Sequence, residues 1–172
     1  DPFKRILKHG RDFPKYADMA EQVINSVSEL PGYRVLMADA FMLNNAGSYI
    51  TQELGFALAW GNEWLSVLTD KGLSVDKVAN RIKFNFGISS NYFMEMAKFR
   101  AARMLWAQIV SAYKPNCDCA SKIEMHAQTS RFNMTIYDAH VNLLRSQTET
   151  MSAALAGVNS ITVTPFDITY KQ

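Results

Sequence analysis

Apolar positions along this chain switch repeatedly between two spacings. Over residues 16–30, Met19, Val23, Ile24 and Val27 recur at helical intervals, which predicts a helix. Pro31-Gly32 ends it, because proline cannot extend the ladder and glycine accepts left-handed angles. Residues 33–38 then read as a short buried strand. A long helix is predicted over 45–71, with Leu54, Leu58, Leu65 and Leu68 at helical spacing and Gly72 as its stop. The alternation continues with a strand at 81–86 and a helix at 91–113, whose buried stripe is Met94, Ala97, Ala101, Leu105 and Ile109. A strand at 122–127, a helix at 133–156 stopped by Gly157, and a strand at 161–163 complete the pattern. Residues 4–10 are basic and mildly amphipathic, as expected of a solvated face rather than a phosphate site.

Short strands alternating with helices of 20 or so residues predict an α/β fold with a parallel sheet and right-handed crossovers. Length alone leaves open a doubly wound sheet or part of a (β/α)8 TIM barrel, which needs about 250 residues when complete. The strand faces favour the barrel. Ile123, Met125 and Ala127 point one way and Glu124, His126 and Gln128 the other. Ile82, Phe84 and Phe86 likewise oppose Arg81, Lys83 and Asn85, and Ile161 and Val163 oppose Thr162 and Thr164. A sheet covered by helices on both sides reads apolar on both faces. One apolar and one polar face predict an outer wall packed on helices and a polar lumen. The chain divides into a lead-in with one helix (1–32) and a barrel portion (33–172).

Composition narrows the function classes. The chain has 172 residues, 48% hydrophobic and 20% charged, which excludes a disordered tail and allows a sizeable core. No run of about 18 apolar residues is present, so no transmembrane helix is expected. A net charge of +2 is too small for a nucleic-acid binder. Two cysteines do not make a disulfide scaffold, and together these traits predict a cytoplasmic protein. The chain opens at Asp1 with no signal-peptide pattern and stops at Gln172 soon after a strand, so a fragment of something longer is expected.

Candidate chemistry is sparse. There is no G-x-G-x-x-G, no P-loop and no G-x-S-x-G elbow. His126-Ala127-Gln128-Thr129-Ser130 falls at the carboxyl end of a strand, where parallel α/β enzymes build their sites, although a hydrogen-bonded histidine with no chemical task fits as well. Arg100 and Arg103 lie three apart on a helix, a spacing that suits a carboxylate fork or, more commonly, surface ion pairs. Cys117-Asp118-Cys119 lacks partners for a metal and reads as a bland loop. Asp138-Ala139-His140 has Leu143 where a cobalamin-binding D-x-H-x-x-G string has glycine, and reads as ordinary helix.

Four stretches together resemble the barrel domain of the methylmalonyl-CoA mutase family. They are Ala46-Gly47 through Leu54-x-x-Ala57-Leu58-Ala59-x-Gly61, the block from Asn91 to Trp106, His126-x-Gln128-Thr129-Ser130, and the helix ending near Met151-x-Ala153-Ala154. The resemblance covers about Arg34 to Asp167. It implies a (β/α)8 barrel that threads an acyl-CoA along its axis, in an isomerase that interconverts methylmalonyl-CoA and succinyl-CoA with adenosylcobalamin held by a separate carboxyl-terminal domain. It further implies that Arg100 matches an arginine that holds the substrate carboxylate. By the same resemblance His126 matches a histidine at the thioester carbonyl, with Gln128 beside it.

Departures from the family pattern are informative. Phe41-Met42 stands where catalytic chains have Tyr-His, Asn45 where they have glutamate, Lys83 where they have serine, Glu124 where they have arginine, and Arg131 where they have glycine. The chain is therefore most similar to the small, non-catalytic subunits of the family's heterodimers. That implies a catalytic large subunit as partner, no catalytic residues of its own, and no cobalamin or metal bound by this stretch. Lys83 and Glu124 are expected to pair inside the lumen and block it. A catalytic barrel fragment and a CoA-thioester binding module without turnover are the alternatives. Half a barrel also bares two strand edges, so self-association of the fragment is expected.

Overall fold

The computed structural model describes residues 2–10 and 13–168. Two helices, α1 (Pro2–His9) and α2 (Phe13–Ser26), precede the first strand, where the sequence predicts one. The strands β1 (Leu36–Asp39), β2 (Ile82–Ile88), β3 (Met125–Thr129) and β4 (Ser160–Thr162) form one parallel sheet in chain order. Between β1 and β2 run α3 (Phe41–Asn45), α4 (Ile50–Asp70) and α5 (Val75–Ala79). α6 (Tyr92–Ala112) and a 3-10 turn (Asp118–Ser121) lead to β3, and α7 (Ala139–Ala156) leads to β4.

α6 packs against α4 on one side and α7 on the other. Strands in sequential order with adjacent covering helices exclude a doubly wound sheet, whose order reverses at a switch point. Consecutive units of a (β/α)8 barrel have this arrangement. No helix among the described residues is long and apolar enough to cross a membrane.

Alternation along β2 explains where the core sits. Ile82, Phe84, Phe86 and Ile88 are at most 2% exposed and face the helices. Phe84 meets Trp106 edge-on at 4.8 Å between centroids, and Phe86 meets Phe99 at 5.7 Å. Gly61 makes this contact possible, since a Cβ on it would lie 2.6 Å from the Phe84 ring. Leu54, Leu58, Leu65 and Leu68 are buried as their spacing predicts.

Several expectations change. The helix expected over 45–71 begins later, at Ile50, because Gly47 adopts φ +89° and turns the chain between α4 and the short α3 that ends at Asn45. In α2 the buried residues are Ala17, Ala20 and Ile24, while Met19 and Val23 are exposed; small side chains let the helix lie close to its neighbours. The buried stripe of α6 is turned by one residue, to Glu95, Lys98, Phe99, Ala102, Trp106 and Val110. Met94 and Ala97 face out instead, because Lys98 has a buried partner waiting on α4. Arg81 does not face the lumen: it is buried just before β2 and donates to the carbonyls of Val27, Leu30 and Tyr33. After β4 the chain leaves the sheet and the alternation inverts. Thr164 is buried, its N–H donating to Thr129 Oγ1 at 2.7 Å, while Val163 is exposed.

Candidate functional site

The carboxyl ends of β1, β2 and β3 open on a cavity of about 300 Å³ lined by Asn44, Tyr49, Ser89, Ser130 and Phe132, among others. α3 follows directly from β1, which places Phe41, Met42 and Asn45 at the carboxyl end of that strand, with Asn44 lining the cavity and Met42 packed against the core. Asn45 accepts the Arg131 N–H at 2.8 Å and donates to the Phe41 carbonyl at 3.1 Å. One of the family departures, Asn45, thus ties α3 to the main chain of the loop after β3 at residue 131. The Phe132 ring closes over Gly47, 3.3 Å from where a Cβ would sit.

Below the mouth, register aligns Asp39, Asn85, His126 and Ser160 in one row across the polar face of the sheet. Asn85 donates to Asp39 at 2.6 Å, and Lys4 of α1 reaches the other Asp39 oxygen at 2.7 Å. Nδ1 of His126 lies 2.7 Å from Ser160 Oγ and Nε2 lies 3.1 Å from Thr162 Oγ1. Burial, and then the nearby Lys83 ammonium, hold the imidazole below its ordinary pKa. A neutral ring offers one donor and one acceptor, and each meets a hydroxyl that can play either role. Gln128 shares this face, half-buried, with no hydrogen-bond partner among the described residues.

A charged cluster without solvent lies beside the mouth. Lys98 Nζ contacts Glu53 at 2.7 Å and Glu95 at 2.6 Å, and all three side chains are fully buried. Gly87 joins through its main chain, donating N–H to Glu53 and accepting from Lys98, both at 2.6 Å. Burial outweighs the Lys98 charge and pushes the Glu53 carboxyl above the usual range. Glu149 of α7 accepts from Asn133 at 2.7 Å with one oxygen, and its other oxygen has no hydrogen-bond partner among the described residues. Burial pushes Glu149 up to about 7.

The expected site residues scatter. His126 and Gln128 lie in the lumen. Arg100 does not join them: it is exposed on the outward face of α6, beside Phe93 and Met104, because the α6 stripe is turned away from the sheet there. Arg103 donates to the carbonyls of Ala156 and Gly157 and finishes α7, so it forms no carboxylate fork with Arg100. Lys83 and Glu124 do not pair either. Glu124 precedes β3 and its carboxylate sits 3.9 Å from Arg34, at the opposite end of the strand from the mouth.

Asp39, Asn85 and the buried Glu53–Lys98–Glu95 cluster escape a reading by motif. The signal of the cluster is charge inside an otherwise apolar helical stripe, which local periodicity discards. Cys117 and Cys119 are joined as a disulfide in a loop held by Asp76, which accepts from the Asn116 and Cys117 N–H groups. Asp138 caps α7, accepting the His140 N–H at 3.2 Å, and His140 is exposed. A capping turn with Leu143 in the glycine position does not fit a cobalamin ligand. No group of three metal-binding side chains gathers among the described residues.

The family model described as methylmalonyl-CoA mutase matches residues 12–172. The chain belongs to the methylmalonyl-CoA mutase family. It is 59% identical over its whole length to the methylmalonyl-CoA mutase small subunit of Porphyromonas gingivalis, covering 28% of that protein. It is 36% identical over 97% of its length to the small subunit of Streptomyces virginiae, covering 27% of it. Over 90% of its length it is 30% identical to the large subunit from Propionibacterium freudenreichii subsp. shermanii, covering 21% of that chain. The chain thus spans about a quarter of the length of these mutase relatives.

Proposed function

We propose that the chain is part of the small subunit of an adenosylcobalamin-dependent methylmalonyl-CoA mutase, acting as a structural partner of a catalytic large subunit. On this reading the complex interconverts succinyl-CoA and methylmalonyl-CoA in the cytoplasm, and this barrel performs no chemistry. The observation that carries the reading is the state of His126. The family resemblance assigns this residue to a thioester carbonyl, yet here both ring nitrogens are engaged by hydroxyls of β4. The mouth supports it, with Phe41 and Met42 replacing a phenol and an imidazole and the Asn45–Arg131 hydrogen bond bridging the opening. Lys83 neighbours Glu124 in register but forms no ion pair among the described residues, and its charge on the lumen face disfavours passage of an uncharged pantetheine arm.

A thioester-binding module without turnover is the second reading, favoured by the unengaged amide of Gln128 on the lumen face. Calorimetry of the full-length subunit with succinyl-CoA decides between them. Heat is expected only when the large subunit is added. Saturable binding to the lone subunit that is lost in His126→Ala would overturn the structural role in favour of the binding module.

A further inference from the structure

The helix layer has two kinds of bare apolar surface. α7 has a helical neighbour on one side only among the described elements, so its exposed Leu144, Met151 and Leu155 fall where a further β/α unit of a barrel would pack. α6 is different, being flanked by α4 and by α7. Completing the barrel leaves its outward stripe of Phe93, Ala97, Arg100 and Met104 uncovered. Phe93 is 77% exposed and Met104 60%, and with Met96, Ala97 and Ala101 they surround Arg100 in a shallow cavity of about 560 Å³.

Charge decides what fits there. α6 holds four charged residues, Glu95, Lys98, Arg100 and Arg103. The first two are buried against each other and Arg103 is committed to the end of α7. Arg100 is left as the one outward charge, with no ion pair or hydrogen bond among the described residues and no carboxylate on the stripe. An arginine set among Phe and Met has the composition of an interface centre. A second copy is a poor occupant, because a twofold contact centred here sets two Arg100 guanidiniums against each other.

We propose that this face of α6 docks the catalytic large subunit, through an apolar ridge that carries a carboxylate to pair with Arg100. The proposal rests on the small-subunit reading above and adds the surface and its chemistry to it.

The test uses the full-length small subunit and its large subunit, with heterodimer affinity measured by sedimentation. Arg100→Glu and Phe93→Asp should each weaken association about tenfold or more, while Glu29→Lys, on the loop after α2, should not. Both positions are exposed, so far-UV circular dichroism and the melting of the free subunit should not change. Wild-type affinity in the two variants overturns the proposal and leaves the small-subunit reading standing. So does protection of the Phe93 and Met104 side chains from hydroxyl-radical labelling in the free subunit, which would mean that its own chain covers the stripe. Homodimerisation of the subunit that Arg100→Glu abolishes overturns it as well, in favour of a second copy. A wild-type subunit that never binds the large subunit overturns both readings together.

Discussion

Lys98 is a single ammonium between two carboxylates in a fully buried pocket. Removing it with Lys98→Met leaves Glu53 and Glu95 uncompensated, and the loss of one partner in such a cluster costs about 3–5 kcal/mol. Urea unfolding should show that drop as a lowered midpoint. Replacing all three residues by apolar ones of similar size should recover only part of it, because the desolvation of the charges goes but the buried Gly87 N–H loses its acceptor. Glu149 gives a pH signature. Its unfolded carboxyl releases a proton near 4.5, but the folded one holds it to about 7. The folded state therefore binds more protons across that window, and stability falls as pH rises through it. Glu149→Gln keeps an acceptor for Asn133 and carries no charge, so its pH–stability curve between 4.5 and 7 should be flatter, with a higher midpoint above pH 7. A variant curve that tracks the wild type would show that another group titrates there.

Elements in this fold are held at distances that particular small residues allow. α4 lies on Phe84 and Trp106 through Gly61, where a Cβ would approach those rings to 2.6 and 2.7 Å. In an isolated helix Gly→Ala gains about 1 kcal/mol. Overpacking of a filled core costs about 1–3 kcal/mol, and at this contact that cost dominates. Gly61→Ala should therefore lower the thermal midpoint, whereas Gly55→Ala, with open space around it in the same helix, should raise it. The end of α7 depends on Gly157 at φ +74° and on Arg103, which reaches across from α6 to the last carbonyls. Arg103→Ala should cost about 1.5–3 kcal/mol, the range for hydrogen bonds to a charged donor, and thermal denaturation measures it.

At the scale of the whole molecule the sheet is open. Among the described residues β1 and β4 each pair on one side only, and backbone groups on a free strand edge recruit other strands. The 172-residue chain should associate with copies of itself, giving a mass above the monomer in light scattering. A single monomeric species at micromolar concentration would contradict this. Fusing the following barrel units should reduce association, because they would cover the β4 edge and the apolar flank of α7.

Local chemistry in the sequence was enough to determine the order of strands and helices, the two-faced strands and the glycine stops at Gly72 and Gly157, because these depend on nearest neighbours along the chain. The stop expected at Gly32 is not used, since α2 already ends at Ser26. Phe84 and Phe86 on one face and Lys83 and Asn85 on the other follow from a period of two, and a barrel wall follows from that asymmetry. Long-range pairing was beyond the reach of periodicity. Which side of α6 goes inward depends on Glu53, 45 residues earlier in the chain than Lys98. Whether His126 is free depends on hydroxyls of β4, 34 and 36 residues later. Arg100 moved from lumen candidate to outer surface for the same reason. Helical spacing ranks faces by hydrophobicity, while burial of a charge is settled by whether a partner from another element arrives to meet it.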